Sequence, residues 1–188
     1  VFTDSARLPM YGILTVGVVL FAVGIVVHLI GVKWGGPSGG LIAAIIAAGV
    51  LVGFAEETLF RGIILRSLRT KMRAEFWVML WSSLWFGFFH ATNLANGSPL
   101  GQVVGQCVLA STAGVLLYSV RRWRGLLVLG MVAHGLWDMS VFLPASDTAI
   151  ITNLFVQVAA VIVAVIAVIV MFRKDRSFAV TERGLQTL

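Results

Sequence analysis

Long apolar runs decide what this chain can fold into. Read for stretches broken by charge, Gly or Pro, the sequence yields six: Met10 to Gly31, Gly39 to Leu65, Phe76 to Ala91, Leu100 to Val120, Gly125 to Leu143 and Ala149 to Phe172. A helix needs about 20 apolar residues to cross a hydrocarbon core, so each run is expected to be a span. The first is too long for the apolar core of a cleavable signal. Composition points the same way, with 59% hydrophobic residues, 12% charged residues and a mean hydropathy of +0.98. These values exclude a water-soluble domain, a collagen-like fibre and a disordered chain. The expected fold is an all-α polytopic transmembrane helix bundle of about six spans, forming a single domain over residues 1–188 in the cell membrane.

A net charge of +6 raises the question of a nucleic-acid partner, and the placement of the charges answers it. With the N-terminus inside, Arg7, Arg66, Arg69, Lys71, Arg73, Arg121, Arg122, Arg124, Arg173, Lys174, Arg176 and Arg183 fall on the cytoplasmic side against Lys33 outside. Positive loops stay cytoplasmic, so both termini are expected there, with membrane lipids rather than nucleic acid as partners. Trp77, Trp81 and Trp123 lie near the inner interface, and the third run is expected to begin as an interfacial stretch. Cys107 is the single cysteine, which leaves no disulfide framework and no Cys-based zinc site.

Ionisable groups in hydrocarbon cost several kcal/mol unless paired or wet, and are functional candidates by default. Six lie at depth: Glu56, Glu57 and Arg61 in the second run, His90 in the third, and His134 with Asp138 in the fifth. Glu57 and Arg61 stand at i and i+4 with the acid first, the favourable order for an ion pair. Glu56, turned about 100° away, is left without a partner and suits a general base. His134 and Asp138 repeat the i, i+4 spacing, as do Phe86 and His90. A bundle that turned these helices inward would gather carboxylates and two imidazoles that can activate a water and stabilise an oxyanion.

Blander readings exist for the same residues. Buried polar groups also serve as interhelical hydrogen-bond glue or line an ion path. Asn93, Gln102, Gln106 and Asn153 are read as glue, the Gly101/Gly105 pair as a close-packing GxxxG, and His28 as interfacial. Gly36-Pro37-Ser38-Gly39 matches a serine-protease tetrapeptide but sits in a Gly-rich turn without an oxyanion arm before it. No HExxH zinc helix and no GxGD motif occur.

At these residues the chain resembles the CAAX protease and bacteriocin-processing family of intramembrane endopeptidases, which includes the type II CAAX prenyl endopeptidases. The family's EExxxR corresponds to Glu56–Arg61, its FxxxH to Phe86–His90, and its HxxxN/D to His134–Asp138, in the same order on three apolar runs. The resemblance implies that Glu56 and His90 hold and deprotonate the attacking water. It places His134 and Asp138 on the oxyanion side, with Glu57, Arg61 and Phe86 supporting. Many prenyl endopeptidases carry Asn where this chain has Asp138. An ionised Asp cannot donate to an oxyanion, so Asp138 is expected to act by orienting His134. The expected substrate is a peptide bond in a membrane-associated peptide or protein, such as a lipid-anchored tail. The expected chemistry uses no cofactor, with a zinc site built from Glu56, His90 and His134 as the alternative. A non-proteolytic binding scaffold or transporter of the same fold is the competing class.

Overall fold

A computed structural model describes residues 2–4 and 8–176, and the backbone of 178–181 and 184–187. The apolar runs become helices: α1 (Gly12–Ile30), α2 (Gly39–Glu57), α4 (Glu75–Phe89), α5 (Leu100–Arg124), α6 (Leu127–Phe142) and α7 (Asp147–Asp175). A short α3 (Leu65–Lys71) continues α2 through a seven-residue π-helix, Thr58–Ile64. Gly39–Lys71 is thus one 33-residue rod. A 3₁₀ turn, His90–Leu94, extends α4, and an antiparallel hairpin of β1 (Phe178–Thr181) and β2 (Gly184–Thr187) closes the chain of this all-α bundle.

Four of these helices are long and apolar enough to cross a membrane: Gly12–Ile30, Gly39–Lys71, Leu100–Arg124 and Asp147–Asp175. The six runs give six helices, and the two outside this set are shorter. α4 and α6 have 15 and 16 residues and reach only about 23 Å at 1.5 Å per residue, short of a 30 Å core. α4 runs unbroken from a buried Glu75, and Trp77 and Trp81 are exposed on its first half.

Backbone bridges fix which loops share an end. Thr3 pairs with Leu126 at one end, and Val32 pairs with Ala145 at the other. The first end is held by charge. Arg69 binds Glu75 at 2.6 Å and Asp4 at 3.0 Å; Arg121 reaches Asp4 at 2.6 Å; Arg122 pairs with Asp175 and donates to the Pro9 carbonyl at 2.8 Å. Tyr118 donates to Glu75 at 2.7 Å. Arg69, Arg121 and Arg122 of the charge tally thus serve as tie-points joining the N-terminal lead, α3, α4, α5 and α7. Arg7 and Arg183 of the same charge tally lie outside the described residues.

Three apolar clusters fill the bundle, the smallest being Val32, Ile45 and Leu143 at the end away from the ion pairs. Leu14, Phe76, Met79, Val115 and Met171 pack near the charged end, and Phe21, Phe60, Phe86, Leu116 and Leu117 pack in the middle. α2 meets α6 through glycine. A Cβ on Gly53 would stand 2.5 Å from the Met131 carbonyl and 2.8 Å from the Gly135 nitrogen, and one on Gly49 would stand 2.8 Å from the Gly135 carbonyl. Close helix packing in lipid depends on small residues of this kind. Gly101 and Gly105 do not pack this way, since a Cβ at either meets nothing within 4 Å.

Candidate active site

Glu56 and Glu57 close α2, and the π-helix begins at the next residue. π-helical turns are rare and frequently sit at functional sites. In this setting the two neighbouring carboxylates diverge. Glu57 is fully buried and pairs with Arg61 at 2.7 Å, and Arg61, also fully buried, donates its second nitrogen to the Gly114 carbonyl on α5 at 3.2 Å. Glu57 Oε2 lies against Gly130, where a Cβ would come within 2.9 Å. Glu56 is half-buried, faces the central cavity, and its Oε2 has no hydrogen-bond partner in the protein.

His134, buried on α6, bridges the two acids. Its Nδ1 is 3.1 Å from Glu57 Oε1, and its Nε2 lies 3.9 Å from Glu56 and 3.6 Å from Asp138. Glu57 is ionised against Arg61 and can only accept, so Nδ1 carries the proton of that hydrogen bond. The residue that orients His134 is therefore Glu57. Asp138, expected in that role, stands on the Nε2 side, because the i, i+4 spacing brings its carboxylate up the α6 face toward the cavity.

His90 begins the 3₁₀ turn at the end of α4. Its Nδ1 donates to the Phe86 carbonyl at 3.0 Å, the only orientation that a carbonyl permits, which leaves Nε2 as the basic nitrogen of the neutral ring. Phe86 is the hub of the site. The Arg61 guanidinium sits 4.1 Å over its ring, and the rings of His90 and His134 stand 5.3 and 5.5 Å from it, both edge-on.

Glu56, Phe86, His90, His134 and Asp138 all line one cavity of about 670 Å³. Glu57 and Arg61 sit behind it. Among the described residues no three of His, Cys, Asp and Glu converge as a metal-binding group. His134 presents Nε2 to the cavity with Nδ1 held on Glu57, an arrangement that serves a hydrogen-bond donor and a metal ligand alike.

Other sequence readings hold in part. His28 is buried rather than interfacial, with Nδ1 at 3.2 Å from Ser140 Oγ and its ring 4.9 Å from Trp137, because α1 turns it onto α6. Asn93 and Gln106 bond each other at 2.8 Å, as glue should, but Gln102 is exposed on the cavity wall. Ser38 caps α2, accepting from the Leu41 N–H at 3.2 Å, which is a structural use of the residue. The residues that the sequence reading missed are Gly114 and Gly130, which seat Arg61 and Glu57, and the Gly49/Gly53 pair. Only the last had a legible signal, a GxxxG spacing ending three residues before Glu56.

No curated protein and no solved structure matches the chain. A family model does: type II CAAX prenyl endopeptidase Rce1-like, over residues 38–140. That match runs from the cap of α2 to α6, covers more than half of the 188 residues, and contains Glu56, Glu57, Arg61, Phe86, His90, His134 and Asp138. The chain belongs to the type II CAAX prenyl endopeptidase Rce1-like family of membrane endopeptidases.

Proposed function

We propose that the protein hydrolyses a peptide bond of a membrane-associated, lipid-anchored peptide or protein, using a water activated by Glu56 and His90 without a metal. The observation that carries this reading is the unequal burial of the two adjacent acids. Glu57 is fully buried and committed to Arg61 and His134, whereas the Glu56 side chain is 18% exposed and lines the cavity. A carboxylate in that state can take the proton of an attacking water, and the Nε2 of His90 can accept a hydrogen bond from the same water.

Attack on the scissile carbonyl places negative charge on its oxygen. His134 Nε2 faces the cavity between Glu56 and Asp138 and is the donor for that charge. Since Nδ1 already holds a proton toward Glu57, the proton on Nε2 belongs to the imidazolium. The Asp138 carboxylate, 3.6 Å from that nitrogen, adds negative charge that favours the imidazolium. The proton taken by Glu56 then passes to the leaving amine, and no acyl-enzyme forms. The charge tally supports a topology with the ion-paired end of the bundle on the cytoplasmic side of the cell membrane and the cavity in the bilayer above it.

The test is cleavage of a labelled peptide ending in a prenylated CAAX sequence, in liposomes, by wild type and by Glu56→Gln, each with and without a chelator. Loss of at least a thousandfold in Glu56→Gln, with wild type indifferent to the chelator, is the expected result. Loss in the chelator would revive zinc, and cleavage by neither protein would move a binding or transport role to the front.

A further inference from the structure

Cutting a peptide bond inside a bilayer requires the chain to leave its helix, and each freed N–H and C=O costs several kcal/mol if it faces hydrocarbon. A protease of this kind needs polar partners for the substrate backbone besides those that do the chemistry. The cavity has two unlike walls. α2, α4 and α6 bring the carboxylates and imidazoles, and α5 and α7 bring three amides, Gln102, Gln106 and Gln157. None of these three belongs to the family's motifs.

Gln102 and Gln106 are i and i+4 and share one face of α5. Gln106 Oε1 accepts from Asn93, so its Nε2 remains as a donor. The same wall carries Gly101 and Gly105, beside which the space is open, so a chain can come up to α5 without meeting a side chain. Hydrocarbon alone has no use for amides, and the remaining lining, such as Leu109, Leu116 and Phe142, already suits a lipid or aliphatic side chains.

Resting on the endopeptidase reading, we infer that Gln102, Gln106 and Gln157 form a backbone-binding wall that holds the unwound substrate peptide extended across the cavity from Glu56 and His134. They touch substrate without taking part in bond cleavage. Recognition is therefore of the peptide backbone, and the prenyl chain contributes through the apolar lining.

The test measures binding separately from turnover. Affinity of the fluorescent prenylated CAAX peptide is measured on Glu56→Gln protein in detergent, alone and combined with Gln102→Leu, Gln157→Leu or both. Each substitution is expected to weaken binding three- to tenfold, with the effects multiplying, as for lost net hydrogen bonds. Gln102→Asn, which keeps the amide, recovers part of the loss. Binding of a prenyl-cysteine methyl ester without the peptide stays within twofold. In the active background KM rises while kcat stays within twofold. Unchanged peptide affinity, no peptide binding at all, or an equal loss for the prenyl-cysteine ester would overturn the inference. If Glu56→Gln still cleaves, the catalytic assignment fails, and the affinity comparison still decides the wall.

Discussion

Glu56 and Glu57 are identical in chemistry and adjacent in sequence, yet the fold gives them opposite tasks. The i, i+4 pairing of Glu57 with Arg61 was legible in the sequence, and so was the free state of Glu56. The contact of His134 with Glu57 was not, because it joins residues 77 positions apart and depends on how α6 lies against α2. Removing one member of a buried pair leaves a charge uncompensated, so Arg61→Leu is expected to destabilise the protein by about 3–5 kcal/mol in a denaturation series. A loss under 1 kcal/mol would mean that the pair is dispensable. At Asp138 the expectation is graded. Asn keeps the shape beside His134 Nε2 and adds a donor, so Asp138→Asn should retain activity within tenfold, while Asp138→Leu should lose about a hundredfold. Equal losses in the two variants would assign Asp138 an obligatory charge.

Helix boundaries followed from charge and glycine to within a few residues for most elements, since hydropathy patterns mark where a span begins and ends. The π-helix at Thr58–Ile64 left no such mark. Within it Arg61 reaches both Glu57 on its own helix and Gly114 on α5, and the second contact is long-range, which local spacing does not express. The GxxxG motif shows a second limit, for spacing alone does not say which of two pairs is packed. Gly49/Gly53 lies against Gly135, and Gly101/Gly105 faces open space. Gly53→Leu is therefore expected to prise α2 from α6, lowering the melting temperature by several degrees and abolishing activity, since both Glu56 and His134 ride on that contact. Gly101→Leu should leave the melting temperature within a degree or two. Thermal unfolding in detergent distinguishes the pair, and the reverse order would contradict the packing.

Across the whole molecule, the loops fall at two ends, as alternation of spans requires, and the basic clusters gather at one of them. Hydropathy counts those charges without seeing their partners, and Glu75, Arg121 and Arg122 are buried there. Breaking that end with Asp175→Asn, which weakens the tie from α7 to α5, should lower the melting temperature while leaving KM unchanged. Membrane sidedness is read by single-cysteine labelling on a Cys107→Ala background. Arg73→Cys should react only from the cytoplasmic face and Lys33→Cys only from the opposite one, and the reverse would invert the topology. The division of labour between the two neighbouring acids is the centre of the account, and one paired measurement tests it: turnover and melting temperature of Glu56→Gln beside those of Glu57→Gln. The account predicts that Glu56→Gln loses turnover by orders of magnitude with its melting temperature intact, whereas Glu57→Gln loses melting temperature by several degrees. Wild-type turnover in Glu56→Gln, or the same outcome from both substitutions, would contradict it.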